Sequence, residues 1–334
     1  MVNHPLGDKN RKSVKVKRMI KQATPDNISQ AVKILQTSGL VAFPTDTVYG
    51  VGADAFNDEA VRKIYDLKNR GLDKPLGILV HSIDQAKEIA QFDDRAQTLA
   101  QIMWPGALSL VLPVNEAAGM SATALAGQKT VSVRMPNHPV ILELLKKFGK
   151  PIAAPSANPS GQLSAVTALD VARDLGDGVP VILADGTKLI GIESTIIDLT
   201  KPQAVVLRQG AMSIEAIEEL IGRVTVQDST HSALVLKTPI RLKAIDVKDG
   251  EAFLGFGNPA YIGVEKIGFV KDMPGHLWRN LSPEGDLHAA ARHLYQMLQE
   301  LDNAGATCIA VMNIPEQGLG VAINDRLARI KGKE

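Results

Sequence analysis

Short apolar runs alternate along the chain with stretches in which apolar residues recur every three or four positions, the pattern of strands alternating with amphipathic helices. Thr24, Pro25 and "DNISQAVKILQTSG" supply an N-cap, a proline at the first helical position and a stop at Gly39, and this helix feeds the strand "LVAF". "NDEAVRKIYDLKNRG" sets Val61, Ile64, Tyr65 and Lys68 on one helical face with Gly71 as its stop, so Lys68 and Arg70 fall at a helix C-terminus. "KPLGILV" reads as a strand, followed by helices over "SIDQAKEIAQF" and "DDRAQTLAQIMW" that end at Pro105 and Gly106. Strands are predicted at "ALSLVLP", "TVSVR", "PIAAP" and "PVILA", and helices at "HPVILELLKKFG" and "SAVTALDVARDLG". A strand pair, "ESTIIDLT" and "QAVVLR", precedes a helix capped by Ser213.

The patterning weakens over 222–238, which reads as a connection, and resumes in a smaller unit over 239–334. There "EAFLGFG" and "TCIAVMNIP" read as strands and "GLGVAINDRLARI" as a last helix. A long helix carries Leu287, Ala291, Leu294, Leu298 and Leu301 on one stripe. The alternation favours an α/β fold with helices packed on a mixed sheet. Residues 20–221 form the expected larger domain and 1–19 a basic tail.

Composition narrows the function. A chain of 334 residues with 45% hydrophobic and 22% charged residues has material for two ordinary cores. The net charge of +1 provides no field that would gather a polyanion, so contact with nucleic acid would need a local patch. Cys308 is the one cysteine, expected at a buried strand position, and it excludes an intramolecular disulfide. The polar N-terminus lacks a signal-peptide core, and no stretch reaches the roughly 20 apolar residues of a membrane span, so the expected location is the cytoplasm, with no membrane partner.

The common catalytic motifs are missing: no Walker A loop, HExxH, CxxC or GxSxG occurs, and "GFGNPA" matches a dinucleotide fingerprint only loosely, since no helix pattern follows it. What remains is a dispersed set of hydroxyls and cations at strand ends: Thr45 and Thr47, Lys68, Arg70 and Lys74, Ser109, Arg134, Ser156 and Asn158, Ser164, Glu193, Ser194 and Thr195, and Arg208. Ligands of α/β sheets gather at strand ends. Cations, hydroxyls and glycine-freed backbone N–H groups together suit a polyphosphate.

Those residues lie in "FPTDTVYGVGADAF", "VRKIYDLKNRGLDKPL", "WPGALSLVL", "VSVRMPNHP", "AAPSANPSG" and "IESTIID…VLRQG", which together resemble the YrdC-like domain of the threonylcarbamoyl-AMP synthases over about residues 20–220. The remainder resembles the small Rossmann-like α/β C-terminal domain of the long members of that family. The resemblance implies a twisted, largely mixed sheet flanked by helices. It implies condensation of L-threonine, bicarbonate or CO2, and ATP with Mg2+ into threonylcarbamoyl-AMP and pyrophosphate. That product supplies threonylcarbamoyladenosine in tRNAs reading codons that begin with A, through a downstream tRNA threonylcarbamoyl transferase machinery, with weak tRNA contact as a further expectation.

By matching motifs, Thr47, Arg134, Ala154 and Ser194 would contact threonine, and Arg70, Lys74, Ser109, Ser156, Asn158, Ser164 and Arg208 would contact ATP. Lys68 and Arg70 would stabilise charge, with no side-chain nucleophile, no protein metal ligand and no redox cofactor. The glycines after "PTDT" are expected to admit close backbone approach to the substrate. Two positions depart from the family: the linker has no His-Tyr-x-Pro motif, so no ligand contact is assigned to it, and Leu79 stands where many members carry His. An RNA-binding module, a carbamoyl-transfer domain of the hydrogenase-maturation type and a degenerate homologue are the alternative readings. An aromatic content of 4% argues against the stacking platforms of the first.

Overall fold

The computed structural model describes residues 19–187, 189–227, 233–258 and 273–332; most of the basic tail, residues 228–232 of the linker, and residues 259 and 260 of the "GFGNPA" turn lie outside these. Packing divides the chain into two compact units, Met1–Ser160 with Thr167–Thr187, and Gly161–Val166 with Lys188–Glu334.

The first unit carries β1 (Ile20–Gln22), β2 (Val41–Phe43), β3 (Gly50–Asp54), β4 (Gly77–Leu79), β5 (Leu108–Pro113), β6 (Thr130–Arg134), β7 (Ile152–Ala153) and β8 (Val181–Ala184). They lie in the order β1-β8-β2-β3-β7-β4-β6-β5. β1, β8 and β2 pair in parallel, β2, β3, β7 and β4 antiparallel, β4 and β6 in parallel, and β6 and β5 antiparallel. The expected mixed sheet with flanking helices is therefore present.

Its helices are α1 (Pro25–Gln36), α2 (Asp58–Lys68), α3 (Ile83–Ile89), α4 (Asp94–Met103), α5 (Pro139–Phe148) and α6 (Ala168–Leu175). Ile28, Ala31, Val32 and Leu35 of α1 meet Val140, Ile141, Leu144, Leu145 and Phe148 of α5 over Val41, Phe43, Leu79, Ile152, Val181 and Leu183 of the sheet. Each fully buried large aliphatic side chain contributes about 1.5–3 kcal/mol, so these two helical faces dominate the packing of this layer. α1 is capped by Thr24, whose side chain accepts from the Asn27 N–H, with Pro25 in its first turn. The left-handed residues that follow α1 and α2 are Ser38 (φ 60°) and Asn69 (φ 49°), where the sequence pointed to Gly39 and Gly71.

The second unit holds the antiparallel pair β9 (Thr195–Asp198) and β10 (Val205–Arg208), with β11 (Thr225–Val226) parallel to β10. α7 (Ile214–Ile221) lies between β10 and β11 in the chain. β12 (Leu234–Leu236), within the weakly patterned stretch, pairs in parallel with the terminal strand β17 (Ile330–Gly332). A smaller, all-parallel sheet contains β13 (Ile240–Arg241), β14 (Glu251–Gly255), β15 (Trp278–Asn280) and β16 (Cys308–Val311) in the order β13-β16-β14-β15. α8 (Leu287–Asp302) packs on β14 and on α9 (Leu319–Ala328). Ala290, Ala291, Leu294, Tyr295, Leu298 and Leu301 are its buried positions, close to the predicted stripe. Cys308 is on a strand as expected but only half-buried.

The glycines after "PTDT" lie in the buried strand β3, "GVGAD", where their missing side chains make room within the core. Gly50 faces Phe43, and Gly52 faces both Phe43 and Ile152: a Cβ on Gly52 would lie 2.5 Å from Ile152 Cγ2 and 3.0 Å from the Phe43 ring. At these strand positions the glycines leave room for an aromatic side chain. Gly52→Ala should therefore overpack this layer and lower stability by about 1–3 kcal/mol. Urea unfolding measures it, and a wild-type midpoint would contradict the packing.

Candidate functional site

In the first unit, candidate residues collect where β2, α2, β6 and β7 end. After β2 the chain turns through Thr45, whose Oγ1 donates to the Val48 carbonyl at 2.6 Å and accepts from the Thr47 and Val48 N–H groups. Because Thr45 spends its proton on that carbonyl, the 3.0 Å contact between Thr45 Oγ1 and Thr47 Oγ1 is donated by Thr47. Thr47 Oγ1 in turn accepts from Arg134 Nη1 at 3.1 Å. A directional chain thus runs from the last residue of β6 to the turn after β2, and it orients the Thr47 hydroxyl and the buried guanidinium together. Asp46 adds a carboxylate 3.5 Å from Arg134 Nη1, and its Oδ1 is buried without a hydrogen-bond partner among the described residues.

Lys68 closes α2 and is 2% exposed. Its ammonium donates to the carbonyls of Ser156, at 2.5 Å, and Asn158. The Ser160 N–H donates back to the Lys68 carbonyl, while the Ala157 N–H donates to the Tyr49 carbonyl and the Val51 N–H to the Pro155 carbonyl. The "APSANPS" loop after β7 is thereby fixed between α2 and the start of β3. Burial pushes the Lys68 ammonium down to about 7, and the Arg70 charge adds to the effect. Ala154, half-buried, gives its N–H to the Gly77 carbonyl.

Arg70 donates from Nε to the Lys74 carbonyl and from Nη2 to the Pro75 carbonyl, and the Tyr65 hydroxyl reaches the Lys74 carbonyl at 2.9 Å. Those contacts shape the loop that carries Lys74. Ser109 is buried on β5. Leu79, the departure noted above, belongs to the α1 and α5 core, whereas His81 two residues later has a buried Nδ1 with no hydrogen-bond partner among the described residues.

The second unit holds Ser164, Glu193, Ser194, Thr195 and Arg208. Arg208 donates from Nε to the Ser194 carbonyl at 3.0 Å and from Nη2 to Ser194 Oγ at 3.1 Å. Thr195 Oγ1 donates to the Met212 carbonyl and accepts from the N–H groups of Gly210 and Met212. A Cβ on Gly210 would sit 2.4 Å from the Glu193 and Ser194 carbonyl oxygens, so glycine is required where the two stretches meet. Ser164 Oγ donates to Glu193 Oε1 at 2.6 Å.

Thr47 and Arg134, Lys68 with Ser156 and Asn158, Arg70 with the Lys74 loop, Ser194 and Arg208, and Ser164 and Glu193 are thus the groupings formed. Tyr295 and Arg326, which also reach Glu193, were not singled out from the sequence. Their signal was faint: a polar tip in an apolar stripe, and an arginine within the apolar spacing of the last helix.

Two family models match the chain, one described as "Telomere recombination" over residues 33–210 and one described as "Threonylcarbamoyl-AMP synthase, C-terminal domain" over residues 212–330. A threonylcarbamoyl-AMP synthase of Pyrococcus abyssi is 32% identical over 332 residues, which cover 90% of this chain and 93% of the relative. One of Bacillus subtilis is 34% identical over 330 residues, covering 91% and 93%. A crystal structure of P. abyssi Sua5 complexed with L-threonine aligns with a TM-score of 0.78 at 30% identity, covering 95% of this chain and 98% of that one.

The buried lysine generates a pH signature. Between about pH 7 and its ordinary value of 10.5, Lys68 remains protonated in the unfolded chain while the folded chain releases the proton, so folding gains stability as pH rises through that window. Lys68→Met has no such titration. Urea unfolding of both proteins at pH 6, 8 and 9.5 should show wild type gaining on the variant with pH; parallel curves would refute the lowered pKa of Lys68.

Proposed function

The chain belongs to the threonylcarbamoyl-AMP synthase family, in its long two-domain form, and we propose that it condenses L-threonine, bicarbonate or CO2, and Mg2+-bound ATP into threonylcarbamoyl-AMP and pyrophosphate. It is an enzyme whose product is a threonylcarbamoyl adenylate, the donor for tRNA threonylcarbamoyladenosine. Arg134, buried at a strand end with Thr47 and Asp46 against it, is the observation that carries the threonine assignment. A guanidinium can hold a carboxylate through two parallel hydrogen bonds. The P. abyssi protein complexed with L-threonine supports the same substrate.

In this reading threonine lies against Thr47, Arg134, Ala154 and Ser194, and ATP against Arg70, Lys74, Ser109, Ser156, Asn158, Ser164 and Arg208. The threonine amine adds to CO2 to give a carbamate, whose oxygen attacks the α-phosphorus, and pyrophosphate leaves. Nucleophile and electrophile are both anionic, so catalysis consists of holding them in line and offsetting charge, with no side-chain nucleophile. Arg70 and Lys74 supply the offsetting charge. Lys68 acts through the loop it holds, since its ammonium already sits on the Ser156 and Asn158 carbonyls. Mg2+ enters on the triphosphate as part of the substrate. Among the described residues no helix is long and apolar enough to cross a membrane.

Mass spectrometry of a reaction with ATP, Mg2+, bicarbonate and L-threonine should show threonylcarbamoyl-AMP, dependent on threonine and weaker with serine. Folded protein that forms no such product would overturn the reading. Arg70→Ala or Lys74→Ala should lower kcat/KM for ATP by at least about 100-fold, a loss in the range of other electrostatic contacts to reacting groups, while circular dichroism stays unchanged. Wild-type turnover in either variant would remove that residue from the nucleotide site.

A further inference from the structure

One largely buried carboxylate in the second unit, Glu193, lies within the influence of more than one guanidinium group. Glu193 accepts from Ser164 Oγ at 2.6 Å, from the Tyr295 hydroxyl at 3.0 Å to each oxygen, and from Arg326 Nε at 2.7 Å. Tyr295 on α8 is 1% exposed and Arg326 on α9 is 2% exposed, while the Glu193 side chain keeps 15% of its surface exposed, so the cluster is largely withdrawn from water. Burial alone would raise the Glu193 pKa; the charges of Arg326 and Arg208 outweigh it and hold the carboxyl well below the usual range. Two arginines therefore act on Glu193, and Arg326 is shared with Asp325, which its Nη1 also reaches. Arg326 reaches it directly, and Arg208 is extended onto Ser194, the next residue, through two hydrogen bonds to neutral oxygens.

We propose that Arg326, far along the chain from every candidate substrate contact, is a positioning residue for the nucleotide. By satisfying Glu193 it keeps the Arg208 guanidinium on Ser194, where it serves ATP. The inference rests on the assignment of Arg208 to ATP made above. Its physical basis is a competition. A buried carboxylate stripped of its cation recruits another, because an unpaired charge in the interior is far costlier than the loss of hydrogen bonds to a carbonyl and a hydroxyl. Charge-assisted bonds are roughly twice as strong as neutral ones, so Arg208 would move to Glu193 once Arg326 is gone. Ser164 and Tyr295 donate to Glu193 but bring no charge, and Arg329, whose charge also bears on Glu193, is held by Asp325. The C-terminal helices would thus support the nucleotide site without touching the nucleotide.

The test is calorimetric binding of a non-hydrolysable ATP analogue with Mg2+ to the full chain, alongside thermal melting. Arg326→Met should weaken binding at least tenfold. Arg326→Lys, which keeps the cation, should stay within threefold of wild type. Combining Glu193→Gln with Arg326→Met should also return binding to within threefold, because the carboxylate next to Ser194 is gone and Asp325 still has Arg329. A merely structural role makes the double variant as weak as Arg326→Met or lets affinity follow the melting temperature, and either result overturns the proposal, as does wild-type binding by Arg326→Met. Should Arg326→Met not fold, the double variant decides: near wild-type affinity supports the competition and a tenfold loss refutes it. Wild type that binds the analogue yet forms no threonylcarbamoyl-AMP would sink the proposed reaction alone, whereas wild type that does not bind it would overturn both.

Discussion

Lys68 places its ammonium, at the end of α2, on the carbonyls of Ser156 and Asn158, and the arrangement of the first unit's candidate residues depends on that contact. The loop after β7 has few side chains able to pack and three polar residues in "SANPS", so its backbone groups need partners from elsewhere. A helix terminus provides them. α2 is anchored by the buried face of Val61, Ile64 and Tyr65, which makes the position of the lysine a consequence of core packing. Ser156 and Asn158 are thereby fixed beside the start of β3, and Tyr49 and Val51 complete the frame through main-chain hydrogen bonds.

The second unit meets the same requirement with the opposite sign. There the buried charge is a carboxylate, and the donors that satisfy it come from Ser164, α8 and α9. The stretch from Glu193 to Thr195 is pressed against Gly210 and tied to Met212, so Ser194 has little freedom of its own. In both units one interior charge fixes the backbone on which the proposed substrate contacts stand. Such charges organise geometry more than they add stability, because desolvation offsets much of what the pairing returns.

Periodicity made much of this legible. The face of α2 that ends in Lys68 was visible because Val61, Ile64, Tyr65 and Lys68 keep helical spacing, and the strands ending at Arg134 and Arg208 were visible as apolar runs closed by a cation. β3 was obscured because two of its five residues are glycines, which carry no apolar pattern and whose role shows only when Phe43 is seen to need the room. The left-handed positions at Ser38 and Asn69 were hidden by neighbouring glycines that looked like better stops. Tyr295 and Arg326 were hidden for another reason: their partner lies more than a hundred residues earlier, and no local pattern encodes a contact across that distance. Long-range polar pairs are specified by packing, and sequence spacing is silent about them.

The net charge of +1 and a chemistry of anions reacting with anions are compatible for a related reason. Several candidate cations are matched by oxygens of the protein itself: Arg134 has Asp46 and Thr47, Arg70 has two carbonyls, and Arg208 has both oxygens of Ser194. Partners of this kind differ in strength. A carbonyl or hydroxyl satisfies donors without cancelling charge, so these contacts hold Arg70 and Arg208 in place without themselves neutralising them. Arg134, facing a carboxylate at 3.5 Å, is closer to neutral as a pair and suits a ligand that carries both signs, as an amino acid does. The contrast is one of direct partners: Arg70 and Arg208 hydrogen-bond to neutral oxygens, with the charges of Asp73 and Glu193 acting on them as well, whereas Arg134 has a carboxylate within ion-pair range.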